Sequence, residues 1–258
     1  MNAPLLEKVD RLLSLNETQS NESEIRELLT EVFDRREELR TLVCKTPGGR
    51  EDSELLSKCL QKLRTLNNNK ESALSKCEFA FVELDRLLEG VSLCADILLS
   101  EKELSLFFTA QKAAVACCPA LIIDAFLNLV SNAVKFSGGG EIDSSLALRG
   151  RQCVISVFEK SNCDLGSLKA KSGLRCVQNT ARLHGGRLLF SSRENRFGAQ
   201  MALSLDLPRG KRFHAPSFSS YLENRFSPVH VGLSDCVLER KPFVDRFFRR
   251  IYNTYEKY

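Results

Sequence analysis

Residues 121–137 read LIIDAFLNLVSNAVKFS, and this segment decides the fold. Its aliphatic residues recur every three or four positions, which predicts an amphipathic helix with one buried face. A second stripe of this helix is made of amides, because Asn128 and Asn132 lie four residues apart and share one side. Amide oxygens can bind Mg²⁺, and the ammonium group of Lys135, one turn farther on, can meet a phosphate. The segment therefore predicts a helix that offers groups to a Mg²⁺ and phosphate site.

The part of this helix that reads LNLVSNAVKFS, residues 127–137, resembles the N box of the histidine-kinase-type ATPase family. The resemblance implies that Asn132 holds the Mg²⁺ that bridges the ATP phosphates, that Asn128 supports it and that Lys135 contacts a phosphate. Asp124 lies one turn upstream, where some members carry an acidic residue, and it is the single candidate for a catalytic residue. From the pattern alone, the alternative is a surface helix with incidental amides.

Two later segments follow in the order that the same family has. Residues 172–192, SGLRCVQNTARLHGGRLLFSS, are similar to its second glycine box, helix and strand, and residues 197–208, FGAQMALSLDLP, are similar to its terminal strand. The resemblance implies an α+β fold in which an N-terminal helical hairpin or bundle precedes a two-layer α/β sandwich, the Bergerat fold. We therefore expect a helical, dimerising region at 1–101, an ATPase-like domain at 102–208, and a linker with a C-terminal helix at 209–258.

The glycine boxes are where the chain departs from the family. After the predicted strand CVISVF, Glu159 stands at the position of an Asp that accepts a hydrogen bond from adenine, and Ser161 and Cys163 replace glycines. In the second box Lys171 replaces the first glycine and leaves Gly173 alone. Each replaced glycine puts a Cβ where the backbone must approach a ligand or take a positive φ, although the lysine could add a phosphate contact. The backbone cradle for the phosphates is therefore half made.

The third glycine box and the lid depart from the family as well. Arg196 stands where a glycine is usual, and the segment between the first two boxes, residues 164–172, is shorter than a loop that closes over ATP. We therefore predict that the chain binds no cofactor. The alternative cofactor is Mg-ATP, held at the matching positions by Asn128, Asn132, Lys135, Glu159, Lys171 and Gly173.

The three histidines argue against self-phosphorylation. A kinase of the resembled type phosphorylates a histidine on a helix that precedes the ATPase domain, but residues 1–115 contain none, and the chain has only His184, His214 and His230. His184 belongs to the sequence LHGG, in which the two glycines supply a left-handed helix end and the histidine suits the helix dipole. The sequence therefore predicts a structural His184 and no phosphoacceptor.

Leucine-rich stripes predict that the first hundred residues are helical. The clearest is an a/d seam formed by Leu74, Cys77, Phe81, Leu84, Leu88 and Val91. Such a seam packs against another helix, and we predict an antiparallel hairpin that dimerises into a four-helix bundle, as in the resembled kinases. A bundle closed within one chain is the alternative.

The chain after Pro208 leaves the resemblance. Residues 209–228 read as a polar linker, and the segment VHVGLSD that follows predicts a short strand. The last helix places Phe243, Phe247 and Phe248 on one face and arginines on the other. Packing of this helix on its own domain is favoured, and peripheral contact with an anionic membrane or an acidic partner is the alternative.

Composition narrows the class of protein. The chain has 258 residues with 43% hydrophobic residues, no signal peptide and no apolar run long enough to span a membrane, so a cytoplasmic location is expected. Its ten cysteines form no CxxC pair and lie at apolar positions, which predicts buried thiols instead of disulfides or a zinc site. A net charge of +4 is too small to argue for nucleic acid.

These features favour a degenerate histidine-kinase-like regulatory or scaffold protein of a two-component-like signalling pathway, without phosphotransfer. Its expected partner is a kinase or a response regulator. One alternative is an atypical Mg-ATP-dependent kinase or ATPase that acts on another protein. A second is a phosphotransferase derived from a histidine kinase, which needs a helical histidine that the chain lacks.

Overall fold

The computed structural model describes residues 78–137, 140–160, 172–193, 196–207, 211–223, 227–234 and 236. The predicted N-terminal hairpin and the C-terminal amphipathic helix lie outside the described residues. The helices and strands, in chain order, are β1 (Ala80–Glu83), α1 (Leu84–Leu99), a short 3₁₀ turn (Ser100–Lys102), β2 (Ser105–Ala110), β3 (Ala114–Cys117), α2 (Pro119–Phe136), β4 (Glu141–Arg149), β5 (Gln152–Lys160), α3 (Ser172–Leu183), β6 (Arg187–Arg193), β7 (Arg196–Ser204), β8 (Lys211–Phe213), α4 (Phe218–Glu223) and α5 (Pro228–Gly232).

The strands form two sheets. The larger sheet has five strands in the order β2-β4-β5-β7-β6, with β2 parallel to β4 and every other pair antiparallel. The smaller sheet has the order β3-β1-β8, in which β1 runs antiparallel to β3 and parallel to β8. Each sheet therefore mixes the two strand directions, as an α+β fold allows.

One face of the larger sheet packs against the helices. In the central strand β5 the alternate residues Cys153, Ile155 and Val157 belong to the hydrophobic core, as the two-residue period of a strand requires. Helices α1, α2 and α3 contact this sheet and supply the rest of the core. The predicted two-layer α/β architecture is thus confirmed for the described residues.

The N-terminal boundary of the domain differs from the prediction. The residues assigned to the a/d seam include Leu84, Leu88 and Val91, which are fully buried on α1 in the same core as the sheet, and Phe81, which lies in strand β1. The Asp96 carboxylate on α1 also accepts a hydrogen bond from the Leu106 backbone N–H at 3.0 Å. A boundary after residue 101 is therefore wrong, because it separates β1 and α1 from the core that they help to form.

The segment after residue 208 also belongs to this core. It contains β8 and α4 instead of a linker alone, and the predicted strand VHVGLSD is the helix α5. Helix α5 begins at Ser227, whose hydroxyl accepts the His230 backbone N–H, and it packs on α2. A Cβ added at Gly232 would lie 2.9 Å from the Leu127 side chain, so the two helices approach each other closely. The domain therefore extends at least to residue 236.

This packing accounts for the apolar character of α2. Its 18 residues have a mean hydropathy of 1.3, enough by length and composition to span a membrane, and 61% of them are buried in the protein. The core face of the helix meets the sheet, while Leu127 and Ser131 meet the α5 segment. Helix α2 is therefore a core helix that is covered on two sides. This apolar packing does not explain its two amides, Asn128 and Asn132.

Six cysteines in the described residues are free and buried, as predicted: Cys94, Cys117, Cys118, Cys153, Cys176 and Cys236. Burial raises the pKa of the thiols of Cys94, Cys117 and Cys153 to about 12. These thiols are protonated at neutral pH and behave as small apolar side chains.

Candidate functional site

Helix α2 places the predicted metal-binding amides on the side that faces the start of α3. Asn128 and Asn132 are half-buried there, while Lys135 is exposed in the last turn. The Nδ2 of Asn128 donates a hydrogen bond to the carbonyl oxygen of Asp124 at 2.8 Å. That bond holds the Asn128 amide along its own helix, as local side-chain bonds often do.

The first turn of α3 lies directly against this amide. A Cβ added at Gly173 would lie 2.6 Å from Asn128 Oδ1, closer than side chains approach each other in folded proteins. A side chain at position 173 would therefore require the Asn128 amide to move.

A small cavity lies between α2, the sheet and α3, where the resemblance places the adenine base. Its volume is about 30 Å³, which has room for about two water molecules. A pocket for a small organic ligand is on the order of 300 Å³ or more. Asn132 and Glu159 supply its polar lining, and the other lining side chains are apolar, among them Leu174 and Phe136. The cavity as it stands is too small for a nucleotide base.

Aromatic side chains close this cavity on the side of β6 and β7. The rings of Phe190 and Phe197 are stacked, with centroids 6.4 Å apart and planes 10° apart, and both rings line the cavity. The neighbouring Gly198 lies against β5, since a Cβ there would come within 2.4 Å of both the Phe158 ring and the Val157 carbonyl oxygen. Gly198 is thus explained by the packing of β7 on β5.

Two replaced glycine-box positions can be located in the structure. Glu159 is buried, 3% exposed, at the end of β5 and lines the cavity. Arg196 forms an ion pair with Asp143 across β5, which directs its side chain away from the cavity. Ser161, Cys163 and Lys171 lie outside the described residues.

The residues present do not fit a bound Mg-ATP without rearrangement. The Nδ2 of Asn132 is buried without a hydrogen-bond partner, which would suit a polar ligand in the cavity. The cavity of about 30 Å³ has room there for water but not for a nucleotide base. Among the described residues, no three His, Cys, Asp or Glu side chains cluster as they would around a metal ion.

His184 has a structural role that the sequence did not fully indicate. The side chain is fully buried, with Nδ1 2.7 Å from the Thr180 carbonyl oxygen and Nε2 3.0 Å from the Cys118 backbone nitrogen. Since the Cys118 N–H is a donor, Nε2 accepts, and Nδ1 carries the proton that it donates to Thr180. Cys118 is the N-cap of α2 and has no side-chain cap bond of its own. His184 therefore joins the end of α3 to the beginning of α2.

The predicted helix end at LHGG is confirmed, although the reason given for its histidine is wrong. Gly185 has a φ of 65°, and the Gly186 N–H donates to the Ala181 carbonyl oxygen at 2.8 Å, as in a Schellman motif. Burial lowers the pKa of His184, so the neutral ring is favoured and no charge compensates the helix dipole. The sequence held one indication that another residue caps α2, because the Cys-Cys-Pro start of this helix supplies no good capping side chain.

Comparison with known proteins shows what this fold is similar to. No protein-family profile matches the sequence, and no curated protein matches it. Among solved structures, the chain is similar to the histidine kinase AdeS of Acinetobacter baumannii, with 15% identity and a TM-score of 0.52, over 80% of this chain and 95% of that one.

Two further solved structures are similar at lower TM-scores. Full-length ShkA, solved in complex with AMPPNP, is 16% identical over 79% of this chain and 44% of that chain, with a TM-score of 0.49. The ATP-binding domain of PrrB from Mycobacterium tuberculosis is 20% identical over 50% of this chain and 99% of that chain, with a TM-score of 0.45. At such identities only the fold is established, and the match to AdeS confirms the predicted histidine-kinase-type ATPase fold of the α/β domain.

Proposed function

We propose that this chain, which has the histidine-kinase-type ATPase fold, is a regulatory or scaffold protein of a two-component-like signalling pathway and does not transfer phosphate. The observation that carries the proposal is the cavity of about 30 Å³ at the position where the fold binds adenine. Without a place for the base, the remaining contacts on α2 cannot hold a nucleotide firmly.

The energetics of opening that cavity support the same conclusion. Phe197, which lines the cavity, is 5% exposed, so a base that displaced it would expose a buried aromatic ring. Exposing one such aromatic side chain costs about 1.5–3 kcal/mol. Because each 1.4 kcal/mol or so is a factor of ten in affinity, that cost weakens binding by about ten- to a hundredfold before other losses are counted.

The retained N-box amides do not outweigh this cost. Asn128 is bonded to the Asp124 carbonyl oxygen and packed against Gly173, so its retention follows from the folded structure. Lys135 is exposed at the end of α2, where a cation is favourable near a helix C-terminus in any protein. Only Asn132 is left without such an explanation.

An atypical Mg-ATP-dependent kinase or ATPase that acts on another protein is the second candidate. Two facts favour it: Glu159 is buried beside the cavity, and the buried Nδ2 of Asn132 has no hydrogen-bond partner. A phosphotransferase is less favoured, because His184 and His230 are buried and hydrogen-bonded to backbone groups.

The proposal includes partners and a location. The partner is a kinase or a response regulator of the pathway, and the N-terminal helices ahead of residue 78 join two copies of the chain. We place the protein in the cytoplasm, with its C-terminal amphipathic helix docked on its own domain instead of on a membrane. A sedimentation mass near twice 29 kDa tests the dimer, and a concentration-independent monomer contradicts it.

The test of the proposal is thermal unfolding with and without Mg-ATP. At a ligand concentration a hundred times the Kd, binding stabilises a protein by about 2.7 kcal/mol, a rise of several degrees in Tm. We expect no rise at millimolar Mg-ATP beyond that caused by Mg²⁺ alone. Asn132→Ala and Glu159→Ala are the matched variants, and a rise in the wild type that both variants lose would establish the enzyme candidate instead.

A further inference from the structure

Strand β6 forms one edge of the five-stranded sheet. Its residues Arg187–Arg193 pair antiparallel with β7 on one side, and no described strand pairs with the other side. The backbone N–H and C=O groups along an open edge are available to a further strand. Seven residues are enough to pair with an extended peptide, which is one of the common ways in which proteins recognise peptides.

The middle of this edge exposes large apolar side chains. Leu189 is 40% exposed and Phe190 is 42% exposed. Neighbouring residues of a strand point to opposite faces, so the edge offers apolar surface on both faces of the sheet. Proteins usually cover an open apolar edge strand or interrupt it, because it promotes association. β6 is therefore suited to a partner that brings both backbone groups and small apolar side chains.

The charge around β6 indicates which partner fits. Residues 172–193, which form α3, the turn and β6, contain four arginines and no Asp or Glu. Removing these four from the 37 basic residues leaves 33, equal to the 33 acidic residues of the chain, so this stretch carries the whole net charge of +4. Arg175 and Arg182 are exposed on α3, which packs against β6, and Arg187 is exposed at the start of the strand.

We propose that the free edge of β6 binds an extended, acidic segment of another protein, which adds a sixth strand to the sheet. Main-chain hydrogen bonds give affinity, and the arginines select carboxylates. A second copy of this chain fits less well, because a twofold pairing of β6 with itself brings like-charged arginines together. The inference does not depend on whether the domain binds a nucleotide.

The probe for this surface is a fluorescein-labelled peptide of eight residues in which Glu and Val alternate. Fluorescence anisotropy measures its binding to the full chain at low salt. Two peptides of the same length are the controls: one in which Lys replaces each Glu, and one in which Pro replaces alternate Val residues and so cannot pair as a strand. We expect binding of the Glu-Val peptide alone.

Matched charge reversals locate the site. The double variant Arg182→Glu with Arg187→Glu changes the charge beside β6, and Lys112→Glu with Arg149→Glu makes the same change at exposed positions away from it. We expect the first pair to weaken binding at least about tenfold, the size of a 1.4 kcal/mol change, and the second to leave it within about twofold. Hydrogen exchange of the amides of residues 187–193 slows when the peptide is added.

Each other outcome overturns the proposal. Absence of binding, or equal binding of the Lys-Val peptide, removes acidic strand addition as the role of the edge. Unchanged binding by the Arg182→Glu and Arg187→Glu variant, or protection of amides elsewhere, moves the site away from β6. If the protein alone protects the β6 amides as its concentration rises and sediments as a dimer, the occupant is a second copy.

Discussion

Both ends of helix α3 carry glycines of the segment that resembles the second glycine box, but these glycines have different surroundings. At its C-terminal end, His184 bonds the N-cap of α2, and Gly186 donates to the helix and lies against β7. At its N-terminal end, Gly173 meets Asn128 beside a cavity with room for about two waters. The residues of the first end stabilise the folded chain, whereas those of the second end border a small cavity. A motif residue can therefore have a role in the fold whether or not a ligand binds.

The difference follows from the kind of group that each end of α3 must bind. A buried backbone N–H such as that of Cys118 needs an acceptor in every folded molecule, so His184 is under constraint even without a ligand. A metal ligand is constrained only while the metal binds.

The largest expected effect is at the C-terminal end. A Cβ added at Gly186 would lie 1.9 Å from the Ala202 carbonyl oxygen, which belongs to β7 and cannot move without disturbing the sheet. We expect Gly186→Ala to lower the free energy of unfolding by about 3 kcal/mol or more, measured from urea unfolding curves.

Gly90→Ala is the matched control for that substitution. Gly90 lies within α1, and a Cβ there would meet only Tyr221 at 3.9 Å, an ordinary contact. Alanine is favoured over glycine within a helix by up to about 1 kcal/mol, so this variant should be unchanged or more stable. Equal losses for the two variants would contradict the tight contact between the LHGG turn and β7.

The next effect is a pH dependence at His184. Burial lowers its pKa in the folded protein below the value of about 6.5 in the unfolded chain. The unfolded state therefore takes up more protons at low pH, and the stability that is complete above pH 6.5 or so falls as the pH is lowered. For one titrating group, the free energy of unfolding cannot change by more than about 1.4 kcal/mol per pH unit.

Urea midpoints between pH 5 and 8 measure this dependence. The glutamine side chain of His184→Gln can both donate and accept hydrogen bonds. We expect this variant to be less stable than the wild type at pH 8, but its stability should vary less with pH. His214→Gln, at an exposed position, is the control for the substitution itself and should leave the urea midpoint at pH 8 unchanged. A His184→Gln profile parallel to the wild type would show that the ring does not stay neutral in the fold.

The sequence predicted the parts of the fold whose patterns are long and local. Helix α2 and the strands β5 and β7 have clear periods, and their positions agree with the family segments. The period of residues 84–91 is equally clear but predicts a coiled-coil seam, since an apolar stripe does not show whether it faces another helix or a sheet. The short helices α4 and α5 depend on tertiary packing and left no strong local signal.

The candidate site was predictable only as a set of positions. The amides and Glu159 could be placed from the motif, but the cavity volume depends on how Phe190 and Phe197 pack, which spacing does not reveal. The bond between His184 and Cys118 joins residues 66 apart, and such pairs are not visible in one sequence. What remained hidden was in each case a contact between distant segments.

The smallest effect, and one of opposite sign, is expected at Asn132. The buried Nδ2 of Asn132 bonds no protein group, so Asn132→Leu, which replaces the amide with an apolar group of similar size, removes no protein hydrogen bond of that atom and should be neutral or stabilising by up to about 1 kcal/mol. Asn128→Leu is the control, because it loses the bond to Asp124 and crowds Gly173, and it should be destabilising. Urea unfolding of both variants measures the difference. A clear loss of stability for Asn132→Leu in the absence of nucleotide would mean that its amide is satisfied within the fold, like His184, and that the two ends of α3 are alike.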